Sequence, residues 1–369
     1  MPTLDPVRWN LACELAADLA KTGALPAVTL ATGTANELSG PVSFGFQTVD
    51  GTTPLVEEPI YLIASITKPI VATAALLLIE RGLITLSDRV SDHLSGFGKQ
   101  GKYGVEIRHL LTHTSGLPDM LPNNLELRKQ NAPLSKFFEE ISRLPLSFPV
   151  ARAVQYQSTG FLVLAEIVKH VTGESCAEFL HHQIFQPLAM RDTALGAPDA
   201  WWDGPQAGRI PEIRLPPDQV GAAGWNWNHR YWRQLGAPWG GLLTTAGDLA
   251  RFAQMTLNDG CTPDGLSLLS PATIAAATTN QLEMLPGIPD EERRCRPWGL
   301  GWRLNWIGSG SSFGDTVAAH AYGHWGATGT LLWIDPTRGV FTIVLSTEPY
   351  DSSARQLVRL SNAVSAAWR

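Results

Sequence analysis

Ser65-Ile66-Thr67-Lys68 is the segment of this 369-residue chain whose residue types and spacing could do chemistry. From Ser65 to Gly82 the sequence is apolar nearly all round, the pattern of a buried helix stopped by a glycine. Residues three apart share a helical face, so the Ser65 hydroxyl and the Lys68 ammonium can meet. A lysine in an apolar helix is costly unless it is paired or employed. Burial also drives its pKa down, towards that of a usable base. The serine lies where the helix begins, beside the positive end of the dipole and free backbone N–H groups. These are the parts of an activated nucleophile with half an oxyanion hole. The same residues also fit a capping serine and a snorkelling lysine, so the spacing alone does not decide.

Other chemistries find less support. Gly96 to Tyr103 has the spacing of a phosphate loop but lacks the magnesium-binding Ser or Thr, and no apolar helix follows. His109 and His113 are four apart, yet no His-Glu-x-x-His pattern or third ligand accompanies them, so no metal is expected. Cys13, Cys176, Cys261 and Cys295 are scattered and read as free, buried thiols. No cofactor is implied.

Three longer stretches carry a resemblance: Tyr61 to Gly82, Ile107 to Pro118 with its His113-Thr114-Ser115-Gly116 turn, and Gly240 to Gln254. Together they resemble the class C β-lactamase and penicillin-binding-protein superfamily of serine hydrolases, close to the family VIII carboxylesterases. The likeness spans roughly residues 26 to 350 and is weakest between about 190 and 235. It implies Ser65 as nucleophile, with Lys68 and Tyr156 sharing the proton transfer. A tyrosine beside a buried cation can have a lowered pKa, which suits that role. The second motif reads Tyr156-Gln157-Ser158, with Ser158 where class C lactamases usually carry Asn. The third is His324-Trp325-Gly326, in a loop just before a strand. There His324 approaches the nucleophile from the sheet edge, and Gly326 lets the substrate backbone come close. Trp325 narrows the site, and the Ala327 amide completes the oxyanion hole. The implied activity is acyl transfer on a small-molecule acyl substrate. His324, Ser158 and the tryptophans from Trp201 to Trp239 lean towards a carboxylesterase for small or apolar acyl groups. A β-lactamase or a D-amino-acid peptidase or amidase is the alternative, and a catalytically inactive ligand-binding member is the rival of another class.

The elements that must position these residues read as follows. Residues 6 to 21 form a helix after Asp5-Pro6. Pro26 to Ala31 and Val42 to Val49 are strands. Further helices run from Gly160 to Gly173, Thr245 to Asn258 and Ser352 to Trp368. Trp298 to Trp306, Thr330 to Ile334 and Val340 to Ser346 are strands, the last two joined by a turn at Asp335 to Gly339. The expectation is an α+β fold. An antiparallel sheet built from both ends of the chain (1–82 and 240–369) is flanked by helices. A mostly helical lobe (83–239) is inserted, and the site lies between them.

Composition sets the outer bounds. A hydrophobic content of 44% supports a large core, and a net charge of -6 without a basic patch argues against nucleic acid. No apolar run is long enough to span a membrane. The first residues lack the pattern of a signal peptide, which points to the cytoplasm.

Overall fold

Asp5 and Pro6 start the first helix as their chemistry dictates. The Asp5 carboxylate accepts from the Val7 and Arg8 amides, and Pro6 sits where no N–H is needed. The computed structural model describes residues 2–222, 224–305 and 313–369. Helix α1 (Pro6–Lys21) leads into strands β1 (Ala27–Gly33), β2 (Leu38–Gly45) and the short β3 (Tyr61–Leu62). Helix α2 (Thr67–Glu80) follows, then α3 (Thr159–Thr172), β4 (Ala194–Leu195), β5 (Leu242–Thr244) and α4 (Ala246–Leu257). The chain closes with β6 (Arg303–Leu304), β7 (Tyr322–Gly326), β8 (Thr330–Asp335), β9 (Val340–Ser346) and α5 (Tyr350–Ala367).

Six strands form one antiparallel sheet in the order β2-β1-β9-β8-β7-β6. Strands from the two ends of the chain therefore lie side by side, Val28 opposite Ser346 and Gly33 opposite Phe341. β1, β8 and β9 are buried along their whole length, because α1 and α5 cover one face and α4 packs on the other. Side chains still alternate. Val28, Leu30, Leu331, Trp333 and Val344 point to the α1–α5 side, while Ala31, Leu332, Ile334, Ile343 and Leu345 join the main core with α2 and α3. Each such buried aliphatic contributes roughly 1.5–3 kcal/mol.

The α+β architecture with a sheet fed from both ends is present, and several boundaries differ from expectation. β2 begins at Leu38 and ends at Gly45, because Gly40 and Pro41, turn signals in a linear reading, lie inside the strand. A short 3-10 turn (Ala64–Ile66) carries Ser65, and α2 proper starts at Thr67. Of the Trp298–Trp306 stretch only Arg303–Leu304 is strand, and Trp306 lies outside the described residues. His324 lies inside a strand, β7, paired on both sides, and not in a loop before one. A second sheet, β3-β5-β4, was not foreseen, since runs of two or three residues show no period. Among the described residues no helix is long and apolar enough to cross a membrane.

Candidate active site

Ser65 follows Ala64, whose backbone is in the left-handed region with φ 45. That conformation costs a residue with a Cβ on the order of 1 kcal/mol or more, so the surroundings must enforce it. They do so from the turn between β7 and β8. Thr328 Oγ1 donates to the Leu62 carbonyl (2.6 Å) and Thr330 Oγ1 to that of Ile63 (2.9 Å). Gly326 is wedged against the same segment: a Cβ there would stand 2.2 Å from the Ile63 carbonyl oxygen. The glycine therefore serves the close approach of β7 to the segment that carries Ser65. The Ala327 carbonyl accepts from the Tyr350 amide (2.9 Å), which fixes the peptide beside Ser65.

Lys68 is fully buried. Its ammonium donates to Ser65 Oγ (3.1 Å) and to the Trp239 carbonyl (2.9 Å), and lies over the Tyr156 ring, 4.6 Å from its centre. Burial lowers its pKa to about 7, with Asp119 opposing the shift. Tyr156 moves the other way. Desolvation pushes its phenol above the ordinary range, and the Ser65 hydroxyl beside it only partly offsets the rise. The lowered tyrosine pKa expected beside a cation is thus corrected: the ammonium sits on the ring face, and burial outweighs it. Tyr156 stays protonated near neutral pH, and Lys68 is the group poised to titrate.

Ser65, Tyr156, Trp325 and Ala327 line a cleft of about 960 Å³, together with Arg214, Pro216, Trp227, Arg303, Glu348 and Tyr350 among others. Two expected residues are elsewhere. Ser158 borders a separate small cavity with Met120, Phe137 and Trp239, and its amide is bound by the Asp119 carboxylate (2.8 Å). His324 is buried behind Tyr156, its ring 5.9 Å from the phenol ring, with Nδ1 2.6 Å from the Trp325 carbonyl. Burial, with the Lys68 charge adding to it, holds its pKa well below the usual histidine value, so it is neutral.

The tryptophan segment divides in the same way. Trp227 borders the cleft, while Trp201, Trp225, Trp232 and Trp239 belong to the core, and the Arg128 guanidinium lies between Trp225 and Trp232 at 4.5 and 4.3 Å. His109 and His113 each use Nδ1 to accept a backbone amide, from Glu106 and Gln157 respectively. Arg303 was missed altogether. It stacks over Trp325 at 4.2 Å at the edge of the cleft, and a single arginine in a tryptophan-rich run carries no signal in sequence.

The antiparallel sheets and helices around a Ser-x-x-Lys turn match the β-lactamase/transpeptidase fold of serine hydrolases. The chain belongs to the beta-lactamase family, whose model matches residues 14–365. It is similar to the penicillin-binding protein 4 of Amycolatopsis lactamdurans, 29% identical over 297 residues that cover 78% of this chain and 72% of the relative. Among solved structures, a penicillin-binding protein homologue from Caulobacter crescentus superposes with a TM-score of 0.79 at 23% identity, covering 100% of both chains. A family VIII carboxylesterase superposes with a TM-score of 0.78 at 19% identity, again over 100% of both. At these identities the two structures speak for the fold.

Proposed function

We propose that this serine hydrolase works through a covalent acyl-enzyme on Ser65 and acts as a carboxylesterase on small or apolar acyl esters. The observation that carries the reading is the 3.1 Å contact between Ser65 Oγ and a fully buried Lys68. Ser65 Oγ attacks the carbonyl carbon as its proton passes to the neutral Lys68 amine. The oxyanion is received by the Ser65 and Ala327 amides. The tetrahedral adduct collapses, the bond to the leaving group breaks, and that group takes the proton back by way of the Tyr156 hydroxyl. Water then repeats the sequence and frees Ser65. Pro216, Pro217, Trp227, Trp325 and Tyr350 offer the cleft's apolar surface to an acyl chain, which supports an ester substrate.

One observation favours a second reading. Arg303 borders the cleft with its guanidinium over the faces of Trp325 and Trp298, at 4.2 and 5.8 Å. A guanidinium so placed suits a substrate carboxylate, as at the free end of a peptide, and so a D-amino-acid peptidase.

A fluorophosphonate probe should label the wild-type protein and leave Ser65→Ala unlabelled, with hydrolysis falling on the order of 10³-fold or more. A substrate panel decides between the readings. Short p-nitrophenyl esters should exceed D-alanyl-D-alanine peptides, D-amino-acid amides and a chromogenic cephalosporin in kcat/KM. Preferred turnover of the peptide, with KM raised selectively by Arg303→Met, would instead establish the second reading. Efficient labelling of Ser65→Ala would remove both.

A further inference from the structure

The His113-Thr114-Ser115-Gly116 turn takes no part in the reaction above, yet it is built around the proton-relay residue. His113 is fully buried and sits in the left-handed region with φ 60, a conformation unusual for a side chain of its size. Both of its acceptors point at the segment carrying Tyr156. The backbone carbonyl receives the Gln155 amide (3.0 Å) and ring Nδ1 receives the Gln157 amide (3.0 Å). The two peptide N–H groups flanking Tyr156 thus both end on one residue. The same imidazole lies 4.8 Å from the phenol ring and 4.1 Å from the Trp298 ring, centre to centre. The turn and the helix before it also secure Gln157: Ser115 Oγ donates to its Oε1 (2.5 Å), and its Nε2 donates to the His109 carbonyl (3.1 Å).

We infer that His113 is a positioning residue, a splint that accepts at Nδ1 as a neutral imidazole and holds the Tyr156 hydroxyl against Ser65 and Lys68. The chemistry is consistent with this. An imidazolium has no lone pair to offer Gln157, and burial above all, with the Lys68 and Arg303 charges adding to it, opposes protonation of His113. The inference rests on the proposed role of Tyr156.

The test separates positioning from mere packing. Acylation of Ser65 is followed by the p-nitrophenyl acetate burst in wild type, His113→Asn, His113→Gly, Tyr156→Phe and the His113→Gly/Tyr156→Phe double variant, each first shown folded by circular dichroism. Asparagine keeps an acceptor near the Nδ1 position and tolerates the backbone angle, whereas glycine tolerates the angle and removes the acceptor. His113→Gly should lose about 100-fold in the acylation rate constant, with KM little changed, as for a misplaced relay group. His113→Asn should return most of that loss. In the Tyr156→Phe background His113→Gly should add nothing, since it acts through the absent hydroxyl. An equal loss in that background, or a folded His113→Asn as slow as His113→Gly, overturns the splint. If His113→Gly does not fold, His113→Asn decides alone: a large loss in it overturns the idea. A wild-type rate in Tyr156→Phe sinks the proposed mechanism and the splint with it, while a slow Tyr156→Phe beside a fast His113→Gly sinks the splint only.

Discussion

Lys68 gives the site a definite pH response. With its pKa lowered to about 7, the ammonium predominates in acid and cannot take the Ser65 proton. kcat/KM should therefore climb about tenfold per pH unit up to near 7 and level off above it. Measured rates that stay flat from pH 5 to 8 would mean that another group is the base. Ser65 and Lys68 are legible in the sequence because their relation is local, set by three residues of helix. The roles around them are not. His113 meets Gln157 across 44 residues, and Lys68 meets the Trp239 carbonyl across 171. Ser158 lies only two residues from Tyr156 in sequence, but the two side chains border different cavities.

At the scale of elements, β7 and the turn after it are what hold the nucleophile in place. A linear reading finds β8 and β9 through their unbroken apolar runs. It misses β7 because Tyr322-Gly323-His324-Trp325-Gly326 mixes two glycines with polar and aromatic residues. Those glycines answer to neighbours: a Cβ on Gly323 would meet the Leu332 carbonyl at 2.0 Å, and one on Gly326 the Thr330 hydroxyl at 2.3 Å. Gly326→Ala should cost about 1–3 kcal/mol of stability through overpacking and slow probe labelling of Ser65 sharply. Thr328→Val, which removes only the bond to Leu62, should cost about 1 kcal/mol with a milder loss of rate. Denaturant melts and timed labelling of both variants check this. An alanine variant labelled as fast as wild type would show that the β7 turn does not govern the serine.

For the molecule as a whole, the fold class was readable from strands clustered at both ends of the chain, and the joining of those ends is explicit in the structure. The β1–β9 pairing is completed by backbone bonds between Thr3 and Arg369 (2.9 Å each way) and by the packing of α1 on α5. A buried lysine held near pKa 7 inside such a fold has a consequence beyond catalysis. The unfolded chain returns Lys68 to water, where its pKa is about 10.4, so between those values folding expels a proton into the buffer. The penalty for burying the amine is present in full below about pH 7 and fades as pH rises towards the unfolded value. Over that interval the wild-type protein should gain stability with rising pH relative to Lys68→Met, whose difference from wild type shrinks accordingly. Calorimetric unfolding at pH 8.5 in buffers of unlike ionisation enthalpy should show the uptake of one proton more by the wild-type chain than by Lys68→Met. An equal count in the two proteins would mean that Lys68 keeps its charge in the fold.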